Sequence, residues 1–174
     1  MDRTSGAKVA RTNLVFLVTC AGRYPMMSID TINSVLELKG RQVWSVTPTT
    51  VVFDAIRAMS NKGVGALLVM SEGKLYGIVS ERDYARKVIL RDRSSKMTQV
   101  REIMTTPVLT VTPKTTVEEG MRMMTEHRIR HLPVLHGDCV VGIVSIGDLV
   151  NWIVTAQEET IGQLEGYITG RYPG

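Results

Sequence analysis

Apolar positions along the chain fall into short runs whose period switches repeatedly between helical and extended. Ile29, Ile32, Val35 and Leu36 share one face of a helix predicted over Ser28–Lys39, with Gly40 as its stop. A strand is predicted at about Val43–Thr47, then a turn with capping hydroxyls at Pro48-Thr49-Thr50. Val52, Ala55, Ile56 and Met59 recur at i, i+3, i+4 and i+7, the spacing of a helix that Gly63 ends. Gly65–Met70 is an apolar strand, Ser71-Glu72-Gly73-Lys74 a hairpin turn and Leu75–Val79 its partner strand. A second helix is expected from about Glu81 to Leu90, with Tyr84, Ala85, Val88 and Ile89 inward. Arg91–Gln99 is polar and reads as a linker, and Val100–Thr105 as a short lead-in to a second unit.

That second unit repeats the pattern of the first. Gly77-Ile78-Val79-Ser80 returns as Gly142-Ile143-Val144-Ser145, and Val46-Thr47-Pro48 as Val111-Thr112-Pro113, both 65 residues on and without a gap. The second copy predicts a strand at Val108–Thr112, a helix carrying Val117, Gly120, Met121 and Met124, strands at His131–His136 and Val140–Val144 around Gly137-Asp138, and a helix from Ile146 with Leu149, Val150, Ile153 and Val154 inward. Ile161, Leu164 and Ile168 extend an apolar stripe towards the C-terminus, as expected of a segment that packs on the domain or on a second subunit. The unit is β-α-β-β-α, twice, an α+β layer architecture in which neither copy buries its apolar face alone. The divisions expected are 1–26 as an extension, 27–42 as a lead-in helix, 43–93 as repeat one, 94–107 as linker and lead-in, 108–159 as repeat two and 160–174 as a C-terminal helix and tail.

Composition changes this picture little. Of 174 residues, 44% are hydrophobic and 22% charged, the balance of an ordinary globular protein, with a Met-rich, aliphatic core. The net charge of +4 is concentrated in residues 1–26, where Arg3, Lys8, Arg11 and Arg23 face Asp2 alone, so it argues against a nucleic-acid-binding domain. That segment reads either as a disordered extension or misassigned start, with Met26-Met27 as an alternative beginning, or as an export or targeting signal built on the short apolar run Leu14–Val18. The run is too short to span a membrane. Cys20 and Cys139 lack CxxC partners and read as free thiols in a reducing compartment, which favours the cytoplasm.

The candidate chemistry lies at the last strand-to-helix turn of each copy. Ser80 and Asp83, and again Ser145 and Asp148, are spaced as an N-cap and its N3 residue, so each pair can form a capping box. The same geometry suits a ligand: helix N-terminal amides for a phosphate, a hydroxyl that donates to it, and a carboxylate that accepts from both hydroxyls of a ribose. Gly77 and Gly142 would let something approach the preceding strand closely. His127, His131 and His136 lack a Cys or carboxylate at ligand spacing, so no metal site is expected. The chain has no phosphate-cradling loop fingerprint, and its local context suggests no nucleophile–base set.

The tandem β-α-β-β-α unit, its Val-Thr-Pro lead-in and the pattern Gly-apolar-apolar-Ser-x-x-Asp-apolar resemble the CBS-domain pair (Bateman module), over about Val43–Ala156. The resemblance is to a stand-alone pair of prokaryotic type. It implies up to two clefts about a pseudo-twofold axis, binding AMP, ADP, ATP, NAD or S-adenosylmethionine, with no cofactor required, and a pair that commonly forms a homodimer. It puts adenine against the strand starts Val64-Gly65-Ala66 and Ile129-Arg130-His131, with Ser80, Asp83, Ser145 and Asp148 on ribose and phosphate. Arg82, Arg86, Arg128, Arg130 and the linker residue Lys96 are candidates to fix phosphates. Because Ile146-Gly147 replaces Glu81-Arg82, and Arg130-His131 replaces Gly65-Ala66, the two clefts should differ in preference. The expected function is a non-enzymatic sensor that regulates an unidentified protein partner. Alternatives are a constitutive interaction scaffold with degenerate clefts, and a nucleotide-directed enzyme, for which no catalytic base or metal set is visible.

Overall fold

The computed structural model describes residues 16–17 and 30–168. Expectations for Cys20, for Ile29 and for most of the N-terminal segment lie outside them. In chain order the elements are β1 (Phe16–Leu17), α1 (Ile32–Lys39), β2 (Trp44–Val46), α2 (Val52–Lys62), β3 (Ala66–Ser71), β4 (Lys74–Ser80), α3 (Glu81–Lys87), α4 (Val117–Glu126), β5 (His131–His136), β6 (Cys139–Ser145) and α5 (Ile146–Ile168), with 3-10 turns at Ile89–Arg91 and Val100–Glu102. The fold is α+β with two copies of one unit, as expected.

In the first copy β2 runs parallel to β3, β3 antiparallel to β4, and β1 adds antiparallel to β2. In the second, β5 and β6 pair in the same register: Leu67 faces Val79 and Leu132 faces Val144, with irregularities at Val69/Met70 and Val134/Leu135. The strand expected at Val108–Thr112 is reduced to one parallel bridge, Val111 to Val134. Val111 N–H donates to the Pro133 carbonyl, and Leu135 N–H donates to the Val111 carbonyl. The next ladder bond would need an N–H at residue 133, which proline lacks. The first copy has Leu68 at that position and keeps its strand.

The helix expected to Leu90 stops at Lys87. Val88 turns inward and is buried, and its carbonyl accepts from both Arg91 and Arg93 N–H as the chain folds back. Ala85 and Ile89 are therefore exposed, contrary to expectation, and so are the equivalent Val150 and Val154 of α5, whereas Leu149 is buried. The stripe at Ile161, Leu164 and Ile168 lies on the backbone of α5, but its side chains are outside those described.

Each copy's core is completed by a segment that belongs, in sequence, to the other. Ile32, Val35 and Leu36 of α1 pack with Val111, Val117, Met124, Leu132, Val144 and Leu149 of the second copy. Val100 and Ile103 of the linker pack with Val52, Met59, Leu67 and Val79 of the first. The exchange is symmetric in its hydrogen bonds: Ile32 N–H donates to Thr115 O at 2.9 Å, and Val100 N–H to Thr50 O at 2.8 Å. Asn33 N–H bonds Pro113 O as Arg101 N–H bonds Pro48 O. A smaller cluster of Val43, Leu68 and Val140 joins the two copies.

Gly77 and Gly142 owe their identity to this exchange. A Cβ on Gly142 would lie 2.6 Å from Leu36 Cδ2, and one on Gly77 2.7 Å from Met104 Sδ. The close approach expected at both glycines is present, and it is made by the side chain of the incoming arm.

Replacing Gly142 by valine should therefore unseat α1 and cost about 1–3 kcal/mol of stability, measured as a shift of the urea midpoint. Adding Leu36→Ala should recover part of that loss. An unchanged midpoint in Gly142→Val alone would show that the arm is not seated there.

Candidate functional site

Two clefts lie where the copies meet, and each is built from both. The first, about 360 Å³, brings Ile78, Ser80, Arg82 and Asp83 of the first copy against Ile129, Arg130 and His131 of the second. The second, about 320 Å³, brings Ile143, Ser145 and Asp148 against Val64, Gly65 and Ala66. The sequence marked both halves but not their crossing. Thirteen of the fourteen residues predicted to contact a base, ribose or phosphate thus line one cleft or the other. The fourteenth, Lys96, lines neither, and its ammonium sits 5.4 Å from the centre of the Phe53 ring. A flexible linker lysine finds that aromatic face instead of a cleft.

The Ser-x-x-Asp motifs form full hydrogen-bonded caps. Asp83 Oδ2 accepts from the Ser80 amide at 3.0 Å and from Ser80 Oγ at 2.6 Å, and Asp83 N–H donates back to Ser80 Oγ at 3.3 Å. Asp148 repeats this, accepting from the Ser145 amide at 2.6 Å and Oγ at 2.9 Å. The amides of Glu81 and Ile146 donate to Gly65 O and Arg130 O. The first turns are thus largely satisfied, leaving the Arg82 and Gly147 amides as their unspent donors among the described residues. An anion placed here would have those amides and side chains to draw on, and each serine hydroxyl would have to turn from its aspartate to donate outward.

The carboxylates differ in their cations. Asp83 Oδ1 pairs with Lys87 of its own helix at 2.7 Å, and Lys87 also donates to Ile103 O, tying α3 to the incoming arm. Asp148 instead pairs with Lys39 at the end of α1, 2.8 Å away. Burial raises the Asp148 pKa, but the Lys39 hydrogen bond and those from Ser145 outweigh it and hold the carboxyl below its usual range. Lys39, Lys62 and Trp44 also line the second cleft, with Lys62 Nζ 3.9 Å from the centre of the Trp44 ring. Sequence reasoning missed all three: Lys39 reaches the cleft only through the crossing of α1, whereas Trp44 and Lys62 flank the strand starts of the first copy. A 65-residue shift maps Trp44 onto Leu109 and Lys62 onto His127, both of which line the first cleft.

His131 borders both clefts. Its counterpart in the first copy is Ala66. Burial pushes the imidazole below its ordinary pKa of 6.5; Arg130, Lys39 and Arg82 act in the same direction and Asp148 opposes them. Among the described residues no three His, Cys, Asp or Glu side chains gather as a metal-binding group, and no helix is long and apolar enough to cross a membrane.

The sign of the His131 effect is fixed by linkage. Its folded pKa is lowered, so between that value and 6.5 the unfolded chain holds more protons. The stability it contributes is complete above pH 6.5 and lost as pH falls towards the folded pKa. His131→Ala should flatten the pH dependence of the urea midpoint between about pH 5 and 7, by less than about 1.4 kcal/mol per pH unit, the limit for one proton. An unaltered slope would place the titration elsewhere.

The geometry agrees with what the chain is similar to. The CBS-domain family model matches twice, over residues 35–90 and 100–155. The mitochondrial CBS domain-containing protein CBSX3 of Arabidopsis thaliana is 43% identical over 152 residues, covering 82% of this chain and 73% of that protein. A solved CBS-domain structure from Burkholderia ambifaria is 50% identical with a TM-score of 0.71, over 73% of this chain and 96% of that one. CBSX2, solved in complex with AMP, is 27% identical with a TM-score of 0.57, over 66% and 90% of the two chains. With two tandem matches in register, over the segments that build the two clefts, the chain belongs to the CBS-domain proteins.

Proposed function

We propose that the protein is a non-enzymatic sensor of adenine nucleotides, with Ser80, Asp83, Ile129, Arg130 and His131 as one binding set and Ser145, Asp148, Val64, Gly65 and Ala66 as the other. The observation that carries this reading is that two equivalent clefts each oppose a serine–aspartate pair to an extended strand start of the other copy. Each aspartate can accept from a ribose diol beside bonds it already makes, and each strand start offers main-chain groups to a base edge. The AMP held by the related CBSX2 supports the ligand class. AMP, ADP, ATP and NAD share the adenosine half that such a cleft reads. A ligand spanning both copies favours whichever packing of the two fits it, and that change is what a regulated partner would sense.

The reading includes a homodimer. Ala85 and Ile89 on one copy, and Val150 and Val154 on the other, leave the same apolar positions exposed in both, a self-complementary face suited to a twofold contact. It also places the protein in the cytoplasm, in keeping with the exposed free Cys139; the mitochondrial address belongs to the Arabidopsis relative by its name. A second reading, a scaffold whose clefts bind nothing, draws on the caps. Ser80 and Asp83 bond each other in capping α3, a sufficient structural reason for both.

Isothermal titration of AMP, ADP, ATP and NAD separates the two. Micromolar binding, about −8 kcal/mol, lost at one cleft in Asp83→Ala and at the other in Asp148→Ala, is the expected result. No heat from folded protein with any of the four would favour the scaffold. Sedimentation should give a dimer for the wild type and a monomer for Ile89→Glu with Val154→Glu; a dimer that survives both changes would place the contact on another face.

A further inference from the structure

Superimposing the copies by the 65-residue shift aligns the two clefts position by position, and their charged residues do not match. The first cleft carries Arg82, Arg86, Arg128 and Arg130. The equivalent positions on the second cleft's side are Gly147, Asn151, Gly63 and Gly65. The four arginines also line an adjoining groove of about 480 Å³, walled by α3, the end of α4 and the turn that follows it, with no acidic residue in its wall. Among the described residues, no carboxylate forms an ion pair with Arg86, Arg128 or Arg130. Asp83, the acid of the first cleft, is already paired with Lys87.

Arg128 adds an independent sign. Its φ is +53°, the left-handed conformation that Gly63 adopts at +64° in the other copy. A Cβ-bearing residue there is strained by about 1 kcal/mol. The strained backbone is held by Arg82, whose guanidinium donates to the Arg128 carbonyl at 2.8 Å. Four guanidiniums along one wall suit a multiply charged anion, which each can meet with charge-assisted hydrogen bonds.

Building on the adenine-nucleotide reading, we infer that the clefts divide the ligands by charge. The first takes a nucleoside di- or triphosphate, its phosphate chain running over Arg82, Arg86, Arg128 and Arg130 into the adjoining groove. The second, with three glycines and an asparagine in their place, Asp148 closed on Lys39 and Lys62 held over the Trp44 ring, takes a ligand with one phosphate or none.

The test reads the first cleft alone, in an Asp148→Ala background, by titrating AMP and ATP at fixed ionic strength. ATP should bind at least about tenfold more tightly than AMP, a difference of about 1.4 kcal/mol. Arg86→Asn with Arg128→Gly, which installs the second cleft's own residues, should erase that difference and leave AMP within about threefold of its original affinity. The glycine relieves strain, so loss of fold does not confound the result, and a thermal melt checks it. AMP binding with ATP no tighter would overturn the division by charge and leave the sensor reading standing. Tight ATP binding unaffected by the double substitution would overturn the role of the arginines. Binding of neither nucleotide would remove both inferences together.

Discussion

Everything in this fold depends on two arms that cross. A single β-α-β-β-α unit leaves an apolar face open, and here the cover for each face arrives from the chain that leads into the other unit. Leu36 lies on Gly142, and Met104 on Gly77, at distances that admit no Cβ. Close packing of this kind leaves little room for the arms to shift without disturbing the cores they cover. The clefts are tied to it, because the arms also form their rims: Lys39 and Gly40 border one, Thr105 the other.

The clefts are alike in frame and unlike in charge. Capping boxes hold both aspartates in the same orientation, and the strand starts lie opposite in both. What separates them is the side chains set on that frame. One aspartate is tied to a lysine from its own helix, the other to a lysine from the arm, and arginines replace glycines along one wall. Equivalent backbone with divergent side chains lets one scaffold present two chemistries, and His131 between them gives both a common wall.

Much of this was legible in the residues because the repeat let each copy check the other. The helix spacing of Val52, Ala55 and Met59, the hairpin at Glu72-Gly73 and the Ser-x-x-Asp turns all stand where local pattern put them. Three things were not legible, each for a non-local reason. The strand at Val108–Thr112 shrank because of Pro133, a residue on its neighbour. The arms escaped the repeat because they correspond at a shift of 68 residues, Ile32 with Val100, whereas the units correspond at 65. One arm is an α-helix and the other a 3-10 turn, so no common periodicity marks them. Lys39 and Lys96 were misjudged for the same cause: whether a cation meets a cleft is decided by where the arm or linker runs.

Duplication ordinarily frees one copy of a unit to drift while the other keeps the original task. The crossed arms withdraw that freedom. A change at Leu36 is felt in the second core, a change at Met104 in the first, and each cleft is half owned by either copy. Neither half is a separable heirloom: a mutation that suits one cleft is answerable to the other. Positions such as 128 and 63, which reach a cleft without bearing on the crossing, are where the two copies can diverge most freely.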